Sequence, residues 1–256
     1  MADAKITALS AVTEITDSDL LPIVADMTTT PATKKVTASN LLDGWIMSPA
    51  WAYASASTFT ISGDYTSVYK LGVRLRWTQT SVKYGVVVSS SYSAPNTTVT
   101  IAVNTDYVVA NAAITAQAYS FHTDPIGWPG WFAFTPSFTG VTVGDGTLTG
   151  KYCVIDKSLF LGVTLVFGST TAVTGATTMA LPINAVTANG NGSMRFFDAS
   201  VGGVPGSWFL SSTSALGIRA INAAGTYVAE VALSSTVPFM WVATDQIMLY
   251  ANYRLV

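Results

Sequence analysis

A single histidine, His122, stands two residues before Asp124 in "SFHTDP". A Ser-His-Asp relay needs an imidazole oriented by a carboxylate beside an activated hydroxyl. This sequence has no G-x-S-x-G elbow to supply that hydroxyl, and the context of His122 reads as a solvated loop. Glycoside cleavage needs two carboxylates about 5 to 10 Å apart, one of them with a raised pKa. The glutamates are Glu14 and Glu230 alone. Asp64, Asp145 and Asp156 fall in the turn sequences "SGDYT", "GDG" and "IDKS", where a carboxylate bonds nearby backbone N–H groups. Asp198 and Asp245 have less obvious contexts. A zinc site needs several Cys or His ligands; one cysteine, Cys153, and one histidine do not supply them within one chain. The glycine-rich "GNG" and "GGVPG" precede no helix carrying Lys-Ser/Thr, so neither reads as a phosphate cradle. No catalytic, cofactor-binding or metal-binding residue is expected, and the chain is not expected to be an enzyme.

Binding chemistry is better represented. A flat aromatic face can stack on a sugar ring while amides and carboxylates bond its hydroxyls. Trp208 follows the turn sequence "GGVPG", and Asn189, Asn191 and Asp198 lie shortly before it. These four residues are the glycan-binding candidates, with core packing as the competing use of Trp208. Trp128 and Trp131, in "PIGWPGW" (125–131), read first as core or interface packing.

Strands must carry these residues. Across 46–106 the chain is saturated with β-formers. Phe59 and Ile61 alternate with Thr60 and Ser62. Val73, Leu75 and Trp77 alternate with Arg74 and Arg76, which predicts both arginines on the wet face. About five antiparallel strands are expected there, as a small barrel or sandwich. Residues 107–130 lose the alternation and end in a proline-stiffened run, which predicts a linker. Residues 131–256 resume the β pattern in about eight strands, with "GDG" (144–146) expected to turn a hairpin. That spacing predicts a jelly-roll-like sandwich. Residues 1–45 form a separate short unit. "KITAL", "LLPIV" and "ATKKV" read as brief strands, with a single capped helical turn near Leu41 and Leu42. So small a unit buries little by itself and needs neighbours.

Half the residues are hydrophobic and 10% are charged, against about 25% charged in ordinary soluble domains. The mean hydropathy is +0.43. No apolar stretch approaches the roughly 20 residues of a spanning helix, and "MADAKITALS" lacks the pattern of a secretory signal. Membrane insertion is therefore not expected. Concealment of apolar surface between copies of the chain is the favoured explanation. A net charge of −2 without basic runs argues against nucleic-acid binding. The lone Cys153 fits synthesis in a reducing cytoplasm.

The opening "KITALSAVTEITDSDLLPIVADMTTTPATKKVTASNLL" resembles the N-terminal segment of tailed-bacteriophage fibre and virion appendage proteins. Its pattern is I-T-x-L, then D-L-L-P-I-V, then T-K-K-V-T-x-x-N-L-L. The stretch from "WAYASASTFTISGDYTS" to "NTTVTI" is similar to a β module that follows it in that family. "FTPSFTGVTVGDGTLTGKYCVIDKSLFLGVTLVFGS" and "PFMWVATDQIMLYANYRL" look like the family's tip domain. The resemblance implies an all-β homotrimer on the virion. Residues 1–45 would dock it to other virion proteins of the tail, portal, neck or capsid. It also implies a short tail fibre or receptor-binding protein attaching to a host surface glycan, or alternatively a head fibre or capsid decoration protein with a structural role. A short chain without a long shaft departs from the long-reach fibres.

Overall fold

The computed structural model describes residues 20–25, 32–37, 43–224 and 226–255. All regular structure among them is β-strand, and no helix there is long and apolar enough to cross a membrane. β1 (Leu20–Ala25) pairs antiparallel with β2 (Ala32–Thr37) as a two-stranded unit, from Leu20 opposite Thr37 to Ala25 opposite Ala32. These are the expected "LLPIV" and "ATKKV" strands. The "KITAL" strand and the capped turn lie outside the described residues.

The middle module holds β3 (Ile46–Met47), β4 (Trp51–Ser55), β5 (Thr58–Ser62), β6 (Arg74–Gln79), β7 (Ser81–Ser93), β8 (Asn96–Ile101) and β9 (Thr115–Ser120). They form one antiparallel sheet in the order β3-β9-β6-β7-β8-β5-β4. β7 is 13 residues long. Its first half pairs with β6 and its second with β8, with a register shift between Val87 and Ser89. Val86 and Val87 are consecutive and both buried, so the alternation breaks where the strand turns a corner, as a β-bulge allows. The sheet curls there around Trp51, Phe59, Ile61, Tyr69, Leu75 and Trp77. The indole of Trp51 stacks on Phe59 at 4.0 Å.

Two of the seven strands were not expected. β9 falls inside the stretch 107–130 read as a linker, yet it pairs with both β3 and β6. Its inward residues are Ala118 and Ser120, too small and polar to announce a buried strand. β3 has only two residues, below the length at which alternation can be seen.

The C-terminal module holds β10 (Phe132–Ala133), β11 (Phe138–Thr142), β12 (Thr147–Ile155), β13 (Ser158–Val166) and β14 (Ala172–Ala180). It continues with β15 (Asn191–Asp198), β16 (Gly202–Leu210), β17 (Ala215–Asn222), β18 (Ala229–Ala232) and β19 (Gln246–Arg254). The order is β10-β12-β13-β19-β15-β16-β17-β14-β11, with β18 paired to β17, and all pairs are antiparallel.

Chain connectivity shows that this ten-stranded sheet cannot lie flat. β11 and β12 are joined by residues 143–146 alone, yet they stand seven places apart in the order. Seven strand spacings span about 34 Å, whereas five Cα steps reach at most about 18 Å. The sheet must roll until these strands face each other. Its inward residues, among them Tyr152, Leu161, Leu249, Phe196, Ile218 and Met179, then share one core.

"GDG" therefore does not turn a hydrogen-bonded hairpin; it arches between strands that are not ladder partners. The arch is fastened to the second crossing, 167–171. The Asp145 carboxylate accepts from the N–H and hydroxyl of Thr170 (2.7 and 2.8 Å) and of Ser169 (3.1 and 2.7 Å). These bonds hold its pKa well below the usual carboxylate range. The expected "DKS" turn does close a hairpin, with Ile155 opposite Ser158.

The two modules share packing. Val86 and Ala102 belong to the C-terminal core, and Leu71, Tyr84, Tyr107 and Trp128 pack against it. Arg74 sits in this joint, only 4% exposed. Its guanidinium donates to the carbonyls of Val154 (2.8 Å), Thr123 (3.3 Å) and Gly72, and it stands 5.7 Å from the Trp128 ring. The expectation of a wet Arg74 is overturned because the C-terminal module covers that face of β6. Arg76, two residues on, stays half-buried over the Trp45 ring at 4.6 Å.

Candidate functional site

β15 and β19 begin as ladder partners and then separate. The ladder covers Arg195–Phe197 against Gln246–Met248. Beyond it, β19 continues to Arg254 on the β13 side, while β15 extends back to Asn191 beside β16. The segment before β15 holds the strands apart. Val186 donates its N–H to the Arg254 carbonyl (2.9 Å), Ala185 bridges to Leu255, and the Tyr253 hydroxyl donates to the Ile183 carbonyl (2.7 Å).

Two hollows lie in line along this split. One, of about 280 Å³, is lined by Ser158, Thr187, Asn189, Gly190, Asn252 and Arg254, with Val186, Leu210 and Tyr253 behind. The other, of about 350 Å³, is lined by Ser193, Met194, Arg195, Met248 and Tyr250. Alternation along β19 points Met248, Tyr250, Asn252 and Arg254 to one face. Tyr250 is 70% exposed; its ring lies over Gly162, where an added Cβ would sit 3.5 Å from it. Amides, hydroxyls, guanidinium groups and an exposed aromatic ring suit a polyhydroxylated ligand. No Asp, Glu, His or Cys lines either hollow.

The four sequence candidates do not all converge here. Asn189 lines the first hollow, and Asn191 is exposed at the start of β15. Trp208 is 3% exposed. It pairs across from Gly192, and its indole occupies the space where a Gly192 Cβ would stand, 2.7 Å from Nε1. No face of it is free for a ligand. Asp198 ends β15, about 23 Å along the strand from Asn191. Its carboxylate caps the β15–β16 turn by accepting from the Ser200 hydroxyl (2.6 Å), the Ser200 N–H (2.8 Å) and the Val201 N–H (3.2 Å). These bonds lower its pKa.

The other residues singled out for chemistry have structural settings. Asp245 is fully buried and accepts from the N–H groups of Val242 (2.7 Å) and Ala199 (2.9 Å). His122 and Asp124 are exposed, and the His122 ring packs against Gly44. Cys153 is buried, and burial raises its thiol pKa. Glu230 is exposed on the edge strand β18; Glu14 lies outside the described residues. Trp128 packs edge-on to Phe132 and Tyr84, while Trp131 is exposed beside Lys151.

Sequence reasoning missed Tyr250, Asn252 and Arg254. Their signal was present in "IMLYANYRLV", where alternation puts an aromatic, an amide and a guanidinium on one face. A third hollow, of about 420 Å³, lies in the joint and is lined mainly by Leu71, Val88, Ile101, Val103, Pro182 and Ile183. It offers apolar surface and few polar groups.

The class defined by this fold is an all-β protein of two packed antiparallel sheets, one curled and one rolled, with a cleft on the flank of the rolled one that is polar around Arg254 and mainly apolar around Met248 and Tyr250. Against known family models, curated proteins and solved structures, the chain finds no match.

Proposed function

We propose that this chain is a virion protein of the tailed-phage appendage kind, a non-enzymatic short tail fibre or receptor-binding protein that attaches to a host surface glycan. In this reading the C-terminal roll is a jelly-roll-like attachment domain, presented three times in a homotrimer. Residues 1–45 dock the trimer to other virion proteins.

The observation that carries the reading is the β15–β19 cleft, with Tyr250 exposed beside Asn189, Asn252 and Arg254. Single sites of this kind bind weakly, and three copies on several fibres multiply that affinity without new contacts. Trimer formation and docking draw support from apolar surface at the start of the middle module. Ile46, Met47, Phe121 and Ile126 are 46–65% exposed. The β3–β9 pairing and a bond from Trp45 Nε1 to the Ile126 carbonyl (2.9 Å) hold them in one region.

Adsorption to host cells tests the reading. The purified chain should sediment as a trimer, bind the cells and compete with virions, and Tyr250→Ala should remove most of that competition with no change in fold. Failure to compete, together with labelled antibody at capsid vertices, would point to a head decoration role. Release of reducing sugar by the purified trimer would replace both with an enzyme.

A further inference from the structure

We propose that the cleft takes an acidic oligosaccharide, whose carboxylate or phosphate is gripped by Arg254 while another of its rings lies on Tyr250. This rests on the glycan-binding reading above and adds the charge of the ligand.

The chain has five arginines, and four are engaged within the described residues. Arg74 bonds carbonyls in the joint. Arg76 lies over Trp45 at 4.6 Å, Arg195 over Phe197 at 5.9 Å and Arg219 over Phe209 at 5.4 Å. Arg195 is exposed as well, but Arg254 is exposed with no such ring or carbonyl partner among the described residues, on the wall of the first hollow with the amides of Asn189 and Asn252 and the hydroxyls of Ser158 and Thr187. A guanidinium presents paired N–H donors in a fork that matches a carboxylate or phosphate.

The surrounding charge has one sign. Arg195 and Arg254 line the two hollows, and no acidic residue does. Asp156, in the adjoining turn, lines the hollow beside Arg74 instead. In a chain of net charge −2, this is a local reversal that favours anions.

Length selects an oligosaccharide over a single ring. Arg254 and Tyr250 are four residues apart on one face of β19, about 13 Å. Met248 and Arg195 extend the same floor.

Three polymers test the proposal with the full chain: a polyuronate, the same polymer with its carboxyls reduced to alcohols, and a polyglycerol phosphate. Binding is read by retention on each immobilised polymer and by calorimetry. The expected result is retention on at least one anionic polymer, at least tenfold weaker binding to the reduced polymer, and several-fold weakening in 0.5 M salt as screening rises. Arg254→Ala should bring anionic binding down to the reduced-polymer level with an unchanged melting temperature, while Lys83→Ala, an equal charge loss on the middle module, should not. The polyuronate and phosphate arms distinguish the two sources of charge. Equal binding of the reduced polymer, lost in Tyr250→Ala but kept in Arg254→Ala, overturns the acidic ligand and leaves the glycan reading standing. Retention of none of the three overturns both.

Discussion

Arg74 and Arg254 occupy the same kind of sequence position and meet opposite fates. Each alternates with large apolar residues, in "VRLRW" and "YANYRL". Arg74 is enclosed in the joint between the modules, with three carbonyl oxygens as acceptors. Arg254 stands in solvent at an open split between strands. The joint is aromatic, and its charge is consumed by structure; the cleft is polar around Arg254, and its charge faces outward. An outward-facing position on an isolated strand pair becomes interior when a second module covers it. Strands that part instead of pairing leave theirs available.

Substitutions should separate the two regions, and their effects on stability should fall in a definite order. Trp208→Ala should cost most, about 4 kcal/mol, because it empties the core beneath Gly192. Chemical denaturation reads this, and a loss under 1 kcal/mol would mean that the indole is not the core element described above. Arg74→Ala should cost about 3 kcal/mol by leaving buried carbonyls without a donor. Arg74→Lys should lose roughly half as much, since one ammonium cannot reach all three acceptors. The joint variant should also split a single unfolding transition into two, as the modules lose their coupling. Retention of one sharp transition would mean that the shared apolar packing holds the joint alone.

Acid should act on the far end of the roll, not on the cleft. Asp145 and Asp198 have carboxyl pKa values lowered in the folded state by bonds from Thr170, Ser169 and Ser200. A depressed folded pKa gives stability that is fully present above the ordinary value of 3.8 and is lost as pH falls through the folded one. Melting temperature should therefore decline below about pH 4, and Asp145→Asn should flatten that decline. An identical pH profile in the variant would remove Asp145 from the account. The smallest stability change belongs to the cleft. Tyr250→Ala and Arg254→Ala should stay within about 0.5 kcal/mol of the parent, while glycan retention falls about tenfold. A large loss of stability in either would make these residues structural.

Much of the fold was legible because alternation is a direct consequence of strand geometry. Phe59 with Ile61, and Leu159 through Leu165 on β13, bury the faces that their spacing indicates. β9 was illegible because its inward Ala118 and Ser120 carry little hydrophobic signal. Asp145-Gly146 was read as a hairpin because turn chemistry is local, while the pairing of β11 with β14 is not. Of the cleft's lining, only Asn189 was among the residues singled out in the sequence; Asn191 is exposed at the start of β15 without lining either hollow. Trp208 was a stacking candidate by its nearness to a turn, with core packing as its competing use, and Gly192 opposite it opens room for the indole inside.

The sequence by itself determined that the chain is built of strands, where most of them run and which residues share a face. Tertiary structure alone decided which face meets water. Alternation says that neighbours point to opposite sides, and it is silent on what lies beyond either side. The second module on β6, the rolling of the C-terminal sheet and the parting of β15 from β19 supplied that answer through contacts between residues distant in sequence.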